Sequence, residues 1–238
     1  MGVNILNIDR LKEGLLMKAI EELNTELVKR DIQPITLNVI GGFALMIQEV
    51  RKDINAVTDV DYIGDNLPDQ IEKISNRIGV KYGLGQHWIN NDVLLSGTSL
   101  EDIEYSTGKL HFTNACQLDR IKINVLDKKD LLRMKVIAID TSLSAVDFGG
   151  EFTRVKDFED IKKLMDSLDI GPIELEEECG DYMLSDYTLD IVNLYMEAGL
   201  DAVNEFLEAK CSGIDLAENE EDLMQLYDEL IDTYGKNF

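Results

Sequence analysis

One stretch, residues 39–63, limits what this chain can fold into more than any other. A β-rich run over residues 35–40 stops at the pair Gly41 and Gly42, and an apolar pattern at helical spacing follows. Residues 58–63 then alternate between polar and apolar side chains, which predicts a second strand. The stretch therefore predicts a strand, a glycine turn, a helix and a strand, with the two strands adjacent.

The second predicted strand carries two acidic residues at alternate positions. Side chains at i and i+2 of a strand point to the same face, so Asp59 and Asp61 are predicted to project together. Two neighbouring carboxylates repel each other unless a cation lies between them. Oxygen-only ligands suit a hard ion such as Mg²⁺, typically completed by substrate phosphates. The turn at Gly41 and Gly42 presents backbone N–H groups at a helix start, which predicts an anion site.

Each feature also has a plain structural interpretation. A Gly-Gly pair at a strand end is often only a turn, and an Asp-x-Asp pattern is often only a solvated strand edge. Both features in one strand–turn–helix–strand unit favour nucleotide chemistry.

This combination resembles the nucleotidyltransferase superfamily, which has the DNA polymerase β-like fold. The finer similarity is to a bacterial branch of abortive-infection and toxin-type nucleotidyltransferases and their relatives. It covers roughly the first 170 residues, and each of its short motifs is weak alone. The positions that carry it are Gly41, Gly42, Thr58, Asp59, Asp61, residues 131–135, Lys156, Asp157, Asp160 and Ile161.

The resemblance implies an enzyme that moves a nucleoside monophosphate from an NTP to an acceptor, with Mg²⁺ or Mn²⁺ as cofactor. Asp59 and Asp61 would hold the metal, and a lysine that contacts nucleotide phosphates corresponds to Lys135. The nucleotide-binding residues that it implies are Gly41, Gly42, Thr58 and Lys135. Relatives also have a similar Trp-x-Asn-Asp-like tract, which draws attention to Asn91 and Asp92. The acceptor, a small molecule, a protein or RNA, stays open.

The chain departs from the family pattern at one point. Many members carry a third metal-binding carboxylate on a later strand, but the strand predicted over residues 120–126 has no acid between Ile121 and Leu126. Asp92, Glu104 and Asp119 are the alternatives that the sequence leaves open. The departure favours a second hypothesis, a non-catalytic nucleotide- or partner-binding protein that keeps the fold.

Lys135 is the unusual residue of a helix predicted over residues 127–140. Its neighbours one turn away are Leu131, Leu132, Ala138 and Ile139. A lysine on an apolar face must snorkel, pair with an acid or bind an anion. Asp157 occupies the apolar stripe of the helix predicted over residues 154–168, in its first turn. It is either a helix-end charge or a site residue that holds Lys135.

The sole tryptophan, Trp88, falls in a glycine-containing tract, residues 81–99, that predicts a loop. A tryptophan in a polar loop can stack on a base, but anchoring the loop to the core is the favoured interpretation. The other predicted elements are helices over residues 8–30 and 67–78, strands over 103–105 and 110–113, and a loop over 141–153.

Charged residues are distributed unevenly along the 238-residue chain. The formal net charge is −24, and residues 173–238 contain 19 acidic against two basic residues. We therefore predict an α+β core over residues 1–172 and an acidic helical segment over residues 173–238, separated at Pro172. Such a charge disfavours extended nucleic-acid binding, and the acidic segment is either a solvated surface or a docking site for a partner protein.

The remaining composition predicts a cytoplasmic protein. No apolar run is long enough to span a bilayer, and no signal peptide is visible at the N-terminus. The three cysteines are widely spaced and form no metal-ligand or disulfide pattern. With two histidines in the whole chain, a His-rich metal site is excluded.

Overall fold

The computed structural model describes residues 9–92, 109–147, 152–179, 184, 187–211 and 220–235. The predicted strand over residues 103–105 and the candidate ligand Glu104 lie outside these ranges. The chain divides into two compact units, Met1–Leu131 and Leu132–Phe238, here called the sheet region and the helical region. The boundary that the sequence places at residue 172 stays a prediction.

The sheet region contains five strands and three complete helices among its described residues. A short 3₁₀ helix, Asp9–Glu13, precedes α1 (Leu15–Lys29). Then follow β1 (Ile35–Val39), α2 (Gly41–Ile47), β2 (Val60–Ile63), α3 (Asp69–Tyr82) and β3 (Ile89–Asn90). The region ends with β4 (Phe112–Gln117), β5 (Ile121–Leu126) and the start of α4 (Lys128–Asp147).

The five strands form one mixed sheet in the order β3-β2-β1-β5-β4. β1 is antiparallel to β2 and parallel to β5. β2 pairs in parallel with β3, and β4 is antiparallel to β5. The predicted strand–helix–strand unit with adjacent strands is therefore confirmed, and so is the α+β class with a mixed sheet.

One face of the sheet supplies the core. Leu37 and Val39 on β1 are fully buried, and their Cα partners on β5 are the buried Ile123 and Val125. The alternate positions of β1 and of the first part of β5 are polar, as in half-buried sheets, whereas Ile63 and Leu126 on that second face are apolar and buried.

Trp88 is buried and anchors the segment that leads into β3. It is 1% exposed, and its indole N–H donates to the carbonyl of Ser75 at 2.8 Å. The anchoring interpretation is thus confirmed. The predicted end of α3 at Gly79 is wrong: a Cβ on Gly79 would lie 2.2 Å from Trp88 Cδ1, so this glycine makes room for the indole inside the helix. The helix ends instead at Gly83, in the left-handed conformation.

Two further predictions needed correction. The tract over residues 81–99 was predicted to be a loop, but it contains β3, whose two residues are too few to give a periodic signal. The helix predicted over residues 127–140 continues to Asp147, so residues 141–147 are not a loop.

The helical region contains the rest of α4 and four more helices among its described residues. These are α5 (Val155–Leu168), α6 (Pro172–Cys179), α7 (Thr188–Cys211) and α8 (Glu220–Tyr234). Gly199 interrupts α7 with a non-helical backbone, φ 83° and ψ −172°. This break separates the apolar residues over 189–196 from those over 203–207. None of the helices described in either region is long and apolar enough to span a membrane.

Candidate functional site

The glycine turn, Ile40, Gly41 and Gly42, joins β1 to α2 and lies directly against β2. Gly41 has φ +62°, where an L side chain is strained. A Cβ at this position would lie only 2.6 Å from Asp61 Oδ2. The two backbones are also hydrogen-bonded at this point, since Ile40 N–H donates to the Asp61 carbonyl at 2.9 Å. The carboxylate of Asp61 is thus packed onto the Cα of Gly41.

The second glycine of the turn is bordered by a charge of the opposite sign. A Cβ on Gly42 would lie 3.1 Å from Arg51 Nη1 and 3.3 Å from the methyl groups of Val57. Arg51 itself is half-buried. The two glycines therefore lie next to a carboxylate and a guanidinium. Sequence reasoning did not single out Arg51, because a cation in a polar bridge carries no periodic signal.

Thr58 and Asp59 lead into β2 rather than belonging to it. The strand begins at Val60, two residues later than predicted, and both Thr58 and Asp59 are exposed. Asp61 lies within the strand and is half-buried. Asp59 forms no ion pair within the ranges that the structure describes. Two acidic residues of different exposure thus stand at the entrance of β2, on the chain segment beside the glycine turn.

The neighbouring Tyr62 fixes β2 from the other face of the sheet. Its hydroxyl donates to the carbonyl of Asp65 at 2.9 Å, and burial raises the pKa of the phenol above its usual value. Tyr62 therefore stays a neutral donor, and it holds the loop that follows the strand.

Asn91 and Asp92 follow β3, on the side of β2 opposite to β1. Asn90 on β3 is the partner of Asp61, so Asn91 lies one position further, toward the end of β2. Its amide donates to the carbonyl of Gly64 at 3.2 Å and to Asn66 Oδ1 at 2.9 Å. Asn91 thus holds the loop after β2, and Asp92 is exposed.

Asp119, one of the alternatives for a third carboxylate, lies far from the glycine turn. Asp119 is exposed in the β4–β5 turn, next to the start of β5. Since β5 starts opposite Ile35, at the start of β1, Asp119 lies at the far end of the sheet from Gly41. On β5 itself a neutral residue, Asn124, donates to Asn38 Oδ1 on β1 at 2.9 Å. Within the described ranges, no group of three or more His, Cys, Asp or Glu side chains could hold a metal.

The donor set beside the turn nevertheless fits a hard divalent cation. Asp59 and Asp61 offer carboxylate oxygens only, the ligand type that Mg²⁺ and Mn²⁺ prefer. Mg²⁺ usually keeps several water ligands and takes one or two carboxylates together with substrate phosphates. Two protein ligands are therefore compatible with a metal that arrives with a nucleotide.

In the helical region, Lys135, Asp157 and Asp160 form a cluster of buried charges, here called the lysine cluster. The Lys135 ammonium pairs with Asp157 Oδ1 and lies 3.0 Å from Asp160 Oδ2. The three side chains are only 14%, 6% and 2% exposed. The ion pair agrees with the second of the two interpretations left open for Asp157, and that the pair belongs to a functional site stays a prediction. Asp160 was not predicted as a partner, although its i+3 spacing from Asp157 puts both acids on one helix face.

The negative charges of the lysine cluster outnumber its positive charge. Two carboxylates face one ammonium, and Asp157 Oδ2 is buried without a hydrogen-bond partner. Arg154 Nη1 lies 3.7 Å from this oxygen, and the arginine side chain is 54% exposed. The partly exposed guanidinium supplies the second positive charge, so the cluster is neutral when Arg154 is counted.

Comparisons with protein-family models, with curated proteins and with solved structures find no match for this chain. The resemblance to the nucleotidyltransferases therefore depends on the residues and on their arrangement alone.

Proposed function

We propose that the sheet region is the nucleotide-binding part of a metal-dependent nucleotidyltransferase. The observation that carries the proposal is the glycine turn, where Gly41 lies against the Asp61 carboxylate and Gly42 against the Arg51 guanidinium. Two consecutive glycines, bordered by one acid and one base, are suited to a metal–triphosphate, which needs a ligand for the cation and a donor for the phosphates.

Each residue has a role in this proposal. Asp59 and Asp61 would hold Mg²⁺ or Mn²⁺, and this ion would neutralise charge on the triphosphate. Arg51 would donate to phosphate oxygens, which its planar guanidinium contacts in a fork. Backbone N–H groups at Gly41 and Gly42 and the exposed hydroxyl of Thr58 would add neutral donors.

Lys135 and Asp157 belong to the proposal through the resemblance, which assigns Lys135 to nucleotide phosphates. Their mutual ion pair supports a different task, since the ammonium is already paired with two buried carboxylates. That arrangement supports a role in joining α4 to α5.

The proposed reaction moves a nucleoside monophosphate from an NTP to an acceptor, as in the abortive-infection and toxin-type enzymes. A formal charge of −24 disfavours extended nucleic acid as the acceptor. A small molecule, a protein or a short RNA segment stays in the proposal, as does a cytoplasmic location with a partner protein. Transfer of labelled nucleotide to fractions of a cell lysate would identify the acceptor.

A second candidate is a non-catalytic protein that binds a nucleotide or a partner with the same fold. One observation favours it: β5, a strand after the acid pair, where the resemblance implies a third metal-binding carboxylate, carries no acid between Ile121 and Leu126, and its amide Asn124 is bonded to Asn38. The two candidates differ in turnover, so an NTP that binds with Mg²⁺ but is never consumed in the lysate assay supports the second.

The variants Asp59→Asn and Asp61→Asn test the metal site. Each removes one negative charge and nearly preserves shape. Thermal melts are measured in EDTA and again in Mg²⁺ with NTP at about 100 times its Kd, where a ligand stabilises the wild type by about 2.7 kcal/mol. We expect most of this stabilisation to disappear in both variants, while the melt of the exposed Asp59→Asn variant in EDTA stays that of the wild type.

Asp65→Asn is the matched control, since Asp65 is an exposed acid just after β2. It should keep the full ligand-induced shift. If both variants also keep that shift, Asp59 and Asp61 do not hold the metal, and the proposal loses its main support.

A further inference from the structure

Arg51 reaches the glycine turn from the loop that joins α2 to β2, residues 48–59, here called the α2–β2 loop. Its backbone N–H donates to the carbonyl of Leu45 at 3.2 Å, near the end of α2. Its guanidinium Nη1 lies 3.1 Å from the Cβ position of Gly42, at the start of the same helix. The side chain therefore runs back along α2, and the place of the guanidinium at the turn depends on where the loop holds the backbone of residue 51.

Arg10 contacts the chain just before Arg51. Its Nη2 donates to the carbonyl of Met46, one of the last carbonyls of α2, which have no partner within the helix. Its Nε is buried and lies 3.5 Å from Glu49 Oε1. Glu49 has φ +64°, a left-handed conformation that is uncommon outside glycine. Arg10 thus holds the point where the helix ends and the α2–β2 loop begins.

Gly14 contacts the same loop on the other side of Arg51. It lies between the 3₁₀ helix and α1, and a Cβ at this position would lie 3.1 Å from the carbonyl oxygen of Ile54. Its backbone is extended, with φ −71°, so the close approach of Ile54 and not the conformation favours glycine here. The segment over residues 9–14, here called the N-terminal turn, therefore bounds the loop both before and after Arg51.

The surroundings of Arg10 suit it to hold the loop rather than to bind a ligand. Its side chain is 29% exposed, and its guanidinium contacts a carbonyl and a carboxylate of the protein. The donors of a guanidinium point in fixed directions, so one side chain fixes two positions of the chain relative to each other. Here these positions are Met46 and Glu49.

We propose that Arg10 is a positioning residue of the nucleotide site. By fixing the start of the α2–β2 loop, Arg10 keeps the Arg51 guanidinium beside Gly42, where it donates to the triphosphate. This proposal rests on the proposed function, since the triphosphate is the ligand that the proposed function assigns to Arg51.

Calorimetry of the full chain in Mg²⁺, with inorganic triphosphate as the probe, tests the proposal. Arg10→Met should weaken triphosphate binding about threefold to thirtyfold, because the loop shifts and takes Arg51 with it. Gly14→Ala should also weaken binding, since its Cβ displaces the carbonyl of Ile54. This second variant changes no charge, so a loss in both variants is not explained by removal of a positive charge.

The coupling of Arg10 to Arg51 separates a positioning role from a purely structural one. In the Arg51→Met protein there is no guanidinium at residue 51 to position. Adding Arg10→Met to that protein should therefore change the affinity by less than about twofold. Two residues that act independently would instead give losses that multiply.

Lys12→Met is the matched control on the N-terminal turn. Lys12 is largely exposed and pairs with Asp9 at 2.7 Å, within the turn itself. The substitution removes one positive charge from the same short segment and leaves the contacts of Arg10 and Gly14 with the loop in place. It should keep the wild-type affinity for triphosphate.

Thermal melts establish that each variant is folded; if Arg10→Met is not, Gly14→Ala and its combination with Arg51→Met decide in its place. A folded Arg10→Met protein with wild-type affinity overturns the positioning role, whatever its melting temperature. A loss that multiplies with that of Arg51→Met overturns it as well. Neither result bears on the metal site, which is overturned if triphosphate binding is insensitive to Asp61→Asn. A wild type that does not bind triphosphate overturns both proposals.

Discussion

The glycine turn and the lysine cluster both bring together charged side chains, but the carboxylates of the two places differ in their exposure to solvent. In the lysine cluster, two carboxylates are almost fully buried and are paired with an ammonium from a neighbouring helix. At the glycine turn, Asp61 is half-buried and packed on a backbone, and Asp59 is exposed. A buried carboxylate needs a cation from within the protein. An exposed one such as Asp59 can take its cation from solution, which is the role that we propose for it.

We therefore propose that the exposure of the acids, more than the residue types, distinguishes the structural cluster from the proposed site. Both places contain acids at short spacing and a nearby base. The predictions below test whether substitutions in the lysine cluster mainly lower stability, and whether substitutions at the glycine turn mainly weaken ligand binding.

The largest expected effect is on stability, from Lys135→Met. The substitution leaves Asp157 and Asp160 buried without their ammonium, which should lower the free energy of unfolding by about 3–5 kcal/mol. Urea denaturation of the full chain measures this loss. Lys163→Met is the matched control on α5, because Lys163 pairs with Glu159 at 3.0 Å and both side chains are largely exposed. It should cost less than about 1 kcal/mol. Equal losses in the free energy of unfolding would show that the buried ion pairs of the lysine cluster stabilise the protein no more than an exposed ion pair does.

A smaller loss is expected from Gly41→Ala at the glycine turn. The left-handed backbone should cost about 1–2 kcal/mol, and the clash with Asp61 should add about 1–3 kcal/mol. Gly83→Ala isolates the backbone part, because Gly83 has φ +73° and no atom lies within 4 Å of its Cβ position. The difference between the two variants in urea denaturation therefore measures the Asp61 contact alone. A difference of zero would mean that Asp61 moves away at no cost.

The smallest effect should appear in binding, from Arg51→Met. Loss of a charge-assisted hydrogen bond worth about 1.5–3 kcal/mol should weaken binding of Mg²⁺–triphosphate about tenfold or more. Calorimetry with inorganic triphosphate measures this change directly. Arg77→Met, which removes an exposed arginine of α3 paired with Glu26 at 3.3 Å, should leave the affinity unchanged. An unchanged affinity in Arg51→Met as well would take Arg51 out of the proposed site.

Local pattern predicted much of the sheet region. The change from a β-rich run to helical spacing at Gly41 identified β1 and α2, and alternation identified β2. Spacing also placed Lys135 on an apolar helix face and Asp157 in the stripe of the next helix. The sequence left open whether Lys135 snorkels, binds an anion or pairs with an acid, and the structure has it paired with Asp157 and Asp160.

Other features have no local signal. β3 is two residues long and exists because it pairs with β2. Gly79 resembles a helix end in the sequence, yet it lies inside α3 because Trp88 needs its space. Arg51 looks like an ordinary surface cation until the fold places it over Gly42.

The sequence by itself determined that β1, α2 and β2 follow one another, where the chain turns at Gly41, and which positions carry acids. These properties depend on periodicity and on backbone freedom, which act over a few neighbouring residues. The tertiary structure alone decided that β1 pairs with β5, that Asn38 therefore meets Asn124, and that Arg51 borders the turn. Those contacts join residues far apart in the chain, and their partners are selected by packing of the whole sheet, which no short window of sequence contains.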